Sequence, residues 1–180
     1  MKIGFKTLAL FLVLFQACER QIETVSPLTV SRHQDARFEI VGPSLANLRV
    51  SVLQFLVNVE GLVELIDAVE AMTGVNISDD TQVEELGLDL SRRPLLVGFD
   101  DGLCLVLSAH SPRPFVDLLL SVLTRKKIIR EVEFDESAGS WRGSLEGKNR
   151  LTVMLRDSLI YIALGETSDA DAIVARMLET

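Results

Sequence analysis

Between Ile128 and Leu164 four short segments follow one another with only turn residues between them: Ile128 to Asp135, Ser140 to Glu146, Arg150 to Arg156 and Leu159 to Leu164. Val132 and Phe134 alternate with Glu131, Glu133 and Asp135, and Leu151, Val153 and Leu155 repeat every second residue. A two-residue period is that of a strand with one buried side. Gly139, Gly143, Gly147-Lys148-Asn149 and Asp157-Ser158 supply the turns. Spacing this close predicts an antiparallel meander with one wet face.

The rest of the chain must be compatible with that sheet. Ala36 to Val41 sets Phe38 and Ile40 against Arg37 and Glu39 and predicts a short strand, ended by Gly42-Pro43-Ser44. From Leu45 the apolar residues Leu45, Leu48, Val52, Phe55, Val59, Leu62, Ile66 and Val69 recur at alternating spacings of three and four, along one helical stripe. Leu53, Leu56, Val57 and Val63 widen the stripe beyond a coiled-coil seam. One long helix is predicted, bent at Gly61 and capped by Gly74. Ser78-Asp79-Asp80 starts a short helix within Asn76 to Leu88, and Leu95 to Phe99, Asp100-Asp101-Gly102 and Leu103 to Leu107 make a hairpin. Ser111-Pro112 opens a helix running past Leu123, with Arg125-Lys126-Lys127 complementing its C-terminal dipole. A last helix spans Ser168 to Glu179 and buries Ile173, Val174, Met177 and Leu178. The order predicts an α+β domain over residues 36–180: a hairpin plus a four-strand meander, with one long and two or three shorter helices on one face of the sheet.

Composition excludes several functions. With 48% hydrophobic residues and 24% charged in 180 residues, the chain is not a disordered tail, and two cysteines do not make a disulfide scaffold. A net charge of −8 argues against a nucleic-acid binder, which needs a concentrated basic surface to displace counterions.

The N-terminus reads separately from the domain. Lys2 and Lys6 precede the unbroken apolar run Leu8 to Phe15, followed by Gln16, Ala17 and Cys18, the order of an export signal over residues 1–17. The run is far shorter than the ~20 apolar residues that span a bilayer. Phe15-Gln16-Ala17-Cys18 resembles the lipobox of bacterial lipoproteins. The resemblance implies cleavage after Ala17 and acylation of Cys18, palmitate among the chains, with Phe15 and Gln16 departing from the usual residues and leaving cleavage without lipid as the alternative. Residues 18–35 would be a lipidated N-terminus and polar tether carrying His33, holding the domain in the cell envelope, on the periplasmic face or at the outer membrane. Losing Lys2 and Lys6 from the 18 basic residues leaves 16 against 26 acidic, a mature charge of −10, so the lipid and not a basic patch would be the anchor. Cys104, inside Leu103-Cys104-Leu105-Val106-Leu107, is expected as a buried free thiol; a Cys18–Cys104 disulfide is the other arrangement.

Residues able to do chemistry are few. His110, in Ser108-Ala109-His110-Ser111, is the one arrangement that offers a hydroxyl beside a base, as an exported hydrolase would need. Glu60, Glu64, Asp67 and Glu70 share a helix face without a histidine and read as solvated, and Asp100-Asp101 lacks calcium-loop spacing. Asn76-Ile77-Ser78 matches a glycosylation sequon of a kind that such a lipoprotein would not use. Trp141 and Tyr161 suit sheet faces, without a basic groove for base stacking. No metal, cofactor or nucleic acid is expected.

A second resemblance covers residues 36–125. Gly87-Leu88-Asp89-Leu90-Ser91-Arg92-Arg93-Pro94-Leu95, a hairpin, and Ser111-Pro112-Arg113-Pro114-Phe115 opening a helix are similar to the module of uncharacterised exported bacterial proteins of the DUF3352 type. Those proteins are longer, which implies a chain truncated at its C-terminus, and the resemblance implies no activity. The expectation is a non-enzymatic, lipid-anchored envelope protein that binds a partner protein or an apolar ligand; the alternative is a hydrolase using His110 with Ser108 or Ser111.

Overall fold

The alternating segments form seven strands: β1 (Phe38–Val41), β2 (Leu95–Phe99), β3 (Gly102–Ser108), β4 (Arg130–Asp135), β5 (Ser140–Ser144), β6 (Asn149–Arg156) and β7 (Leu159–Glu166). They pair antiparallel throughout, in the order β1-β2-β3-β7-β6-β5-β4. The computed structural model describes residues 35–58, 63–145, 147–166 and 169–179; the leader, Cys18, the tether with His33, and Gly61 lie outside the described residues. The hairpin and the meander are joined by β3 and β7, which stay in register from Gly102↔Gly165 to Ser108↔Leu159.

The helices are α1 (Leu45–Asn58), α2 (Val63–Thr73), α3 (Asp80–Glu85), α4 (Pro112–Arg125) and α5 (Asp169–Leu178). Among the described residues none is long and apolar enough to cross a membrane. The stripe predicted as one long helix is described as two, α1 and α2, with residues 59–62 between them outside the description. Asp79 caps α3, its carboxylate accepting from the Thr81 and Gln82 N–H groups.

The fold is α+β, and it corrects one feature of the expectation: helices cover both faces of the sheet. On one face α5 buries Val97, Phe99, Cys104, Val106, Tyr161 and Ala163 beneath Ala170, Ile173, Val174 and Met177. On the other, α4 and the start of α1 lie over Leu107, Ile160, Val153, Leu151 and Trp141. The reason is legible in β3 and β7, which are apolar at nearly every position and not at every second one; a continuous apolar strand needs cover on both sides. The wet face predicted for the meander is confined to its edge, where the β4 side chains from Arg130 to Phe134 are exposed.

Two glycines let α5 approach. A Cβ on Gly102 would stand 2.0 Å from the Leu164 carbonyl oxygen and 2.6 Å from Ile173 Cδ1, and one on Gly165 would meet Asp101 O and Ile173 Cδ1 at 3.0 Å. Only glycine leaves room for the isoleucine there.

Candidate functional site

The β3 to α4 connection gathers the residues of the hydrolase expectation. A bridge between Leu88 and Ala109, with Asp89 N–H bonded to Ser108 O and the His110 and Ser111 N–H groups both bonded to Gly87 O, pins this corner. Gly87 has φ +75°, and a Cβ on it would sit 2.0 Å from the Ser111 carbonyl oxygen. The corner brings Asp89 Oδ2 to 3.7 Å from His110 Nε2. That is an acid beside an imidazole, at more than hydrogen-bond distance.

Both residues have other surroundings to answer to. The Asp89 carboxyl lies below the ordinary carboxylate range chiefly because the Ser91 hydroxyl donates to it at 2.6 Å, opposed by partial burial. Arg92 stands 3.6 Å away. His110 itself is 76% exposed. Ser111 occupies the helix N-cap without making a side-chain cap bond. The structure thus brings Asp89 to His110, a pairing the sequence expectation did not contain, because the two are joined by the bridge and not by proximity in the chain.

The other sequence candidates are taken up structurally. Asp100 pairs with Arg37 and Asp101 with Arg176, whose guanidinium also lies 4.4 Å over the Phe99 ring. These pairs line a cleft of about 460 Å³ with Asp35 and Ala36. Asp67 and Glu70 are exposed on α2, and Glu60 lies outside the described residues. Asn76 Oδ1 accepts the Ser78 N–H, turning the sequon back on itself. Among the described residues no three His, Cys, Asp or Glu side chains are grouped to hold a metal. Cys104 is free and buried, and burial pushes its thiol up to about 12, the opposite of an activated nucleophile. Trp141 lies under the Arg113 guanidinium at 4.9 Å and against Phe134 at 4.7 Å.

One polar network has no signature in the sequence. Asp171, in the first turn of α5, accepts from Thr152 Oγ1 at 3.0 Å and from Arg142 Nε at 3.0 Å, and Arg142 Nη1 reaches Asp135 at 3.0 Å. The Ser137 hydroxyl, the Ala138 N–H and Arg142, in that order, pull the Asp135 carboxyl down to about 2. Glu133, Phe134, Asp135, Glu136, Ser137 and Arg142 line a cleft of about 610 Å³ beside it. With Arg142 held by two carboxylates, that cleft favours cationic over anionic groups.

Both clefts are lined mainly by charged residues. The apolar surface lies elsewhere. None of the side chains described in α1, from Leu45 to Gln54, or in α2, from Asp67 to Thr73, is buried. On the same side of the sheet Phe38 and Leu164 are 44% and 40% exposed.

No protein-family model matches this chain, and neither the curated proteins nor the solved structures yield a match. The likenesses to lipoproteins and to the DUF3352-type module therefore stand on the residues that carry them.

Proposed function

We propose that this chain is an exported, lipid-anchored protein of the bacterial cell envelope that acts by binding a partner protein through the apolar surface of α1 and α2. The leader and Ala17-Cys18 support export and acylation. The observation that carries the binding role is the helical stripe: beyond Leu45, which packs on the sheet, Leu48, Val52 and Val69 are all partly exposed, in helices whose sequence is apolar enough for a core. Apolar surface left uncovered on a folded domain marks contact with something else. A protein partner fits better than a small apolar ligand, because the two clefts described above are lined mainly by charge.

Two measurements test this reading. Intact-mass analysis of protein from the membrane fraction is expected to show an acylated N-terminus at Cys18 that Cys18→Ala abolishes; an unmodified soluble product overturns the anchor. A photo-crosslinking residue at Val52, on the stripe, is expected to give discrete adducts in intact cells, and one at exposed Asp117 none. Equal results at both positions overturn the binding surface. The Asp89–His110 approach keeps hydrolysis as the second reading, and esterase, peptidase or phosphatase activity lost in His110→Ala would promote it.

A further inference from the structure

The basic triplet at the end of α4 does more than cap a helix. Resting on the anchored reading above, we propose that the corner where α4 meets β4 is a membrane-contact surface for anionic phospholipid headgroups, formed by Arg125, Lys126, Lys127 and Arg130 around Ile128. All four cations are exposed, within six consecutive residues. Among the described residues none of them is in an ion pair, whereas Arg37, Arg49, Arg92, Arg113, Arg142 and Arg176 each hold a carboxylate. The chain is acidic in total, and among the described residues Arg93, Arg150 and Arg156 are likewise outside the ion pairs, but those three are spread along the sequence whereas these four fall within six residues. Charges more than a Debye length away, about 8 Å at physiological salt, are largely screened, so a headgroup senses the corner, where exposed Glu131 offsets one of the four cations, and not the net charge.

The local backbone explains how the corner is displayed. Ile128 N–H bonds to Leu123 O and Lys127 N–H to Thr124 O, the paired bonds that close a helix over a left-handed residue. That residue is Lys127, with φ 56°. Glycine takes this conformation most easily, yet the position carries a charge. Ile129 turns into the core while Ile128 is left 48% exposed among the cations. Cations beside an exposed aliphatic side chain match the headgroup boundary, where phosphate and acyl chain are both in reach. A soluble polyanion has no use for the isoleucine.

Topology sets the corner on the tethered end of the molecule. One row of strand partners runs from Phe38 through Gly98, Leu103, Leu164 and Leu151 to Gly143, and Arg130 enters the sheet opposite the next residue, Ser144. The first described residues and the corner therefore lie at the same end of the strands, six strand spacings apart, about 29 Å. The 17 residues from 19 to 35 can span at most about 60 Å, so a lipid at Cys18 and the corner can reach one bilayer together.

The test places the full acylated chain on vesicles of phosphatidylcholine, with or without a third phosphatidylglycerol, and reads acetic anhydride modification of Lys126 and Lys127 by mass spectrometry. Modification is expected to slow at least fivefold on anionic relative to neutral vesicles, to recover in high salt, and to lose its lipid dependence in Arg125→Glu/Arg130→Glu, which keeps both lysines as reporters. Equal rates on the two vesicle types, with the protein floating on both, overturn the proposal. Failure to float on neutral vesicles counts against the anchor alone, and flotation confined to anionic vesicles then supports the corner. Slowing by heparin but not by anionic vesicles overturns it in favour of a soluble polyanion.

Discussion

The two faces of the sheet are covered in different ways. A single ten-residue helix, α5, seals its face so closely that Val97, Cys104, Ala163, Ile173 and Val174 are all fully buried. The opposite face has α4 and the start of α1 packed on it, and still leaves Phe38, Phe134 and Leu164 largely exposed. More helix does not mean more cover. Close approach decides it, and α5 has Gly102, Gly165, Ala163 and Ala170 at its contact, where small residues let a helix settle onto strands. Both faces hold fully buried side chains, Val116, Val153 and Ile160 among those of the second, but it is there that Phe38, Phe134 and Leu164 leave apolar surface open to contact.

That comparison breaks most visibly at Cys104. On the α5 face, its labelling by a thiol reagent, read at that peptide, is expected to be about a hundredfold or more slower in the native state than in denaturant. Fast native labelling would mean that α5 does not seal its face. Ile173→Ala is expected to cost about 3 kcal/mol in denaturant unfolding, since the glycines beneath cannot fill the space. A cost near zero would remove the asymmetry altogether.

A more modest effect probes the polar margin of the same face. With its carboxyl pulled down to about 2, Asp135 favours the folded state above the ordinary carboxylate value, and that contribution disappears as pH falls through about 2. The wild type is expected to lose stability between pH 4 and 2 more steeply than Asp135→Asn, by thermal melts; parallel curves would show the network to be idle. The smallest effect sharpens the contrast from the opposite face: Leu164→Ala is expected to cost about 1 kcal/mol or less, because much of the side chain already meets water. A cost matching that of Ile173→Ala would mean that the second face is sealed as well.

Local pattern alone located the seven strands to within two residues at every end, the capped helix at Asp79, the proline start of α4 and the burial of Cys104. Turn chemistry, capping and two-residue alternation act over a few residues, so they are written in the chain. The expectation of an export signal ending at Ala17-Cys18 likewise rests on the chain alone. Tertiary structure alone decided that α5 and α4 take opposite faces, that Asp171 meets Arg142 and Thr152, that Asp89 comes to His110, and that the basic end of α4 shares an end of the sheet with the first strand. Each joins residues from separate elements, through a strand order in which β7 returns to lie beside β3. Local propensity contains no term for that return; it follows from burying apolar strands on both sides at once.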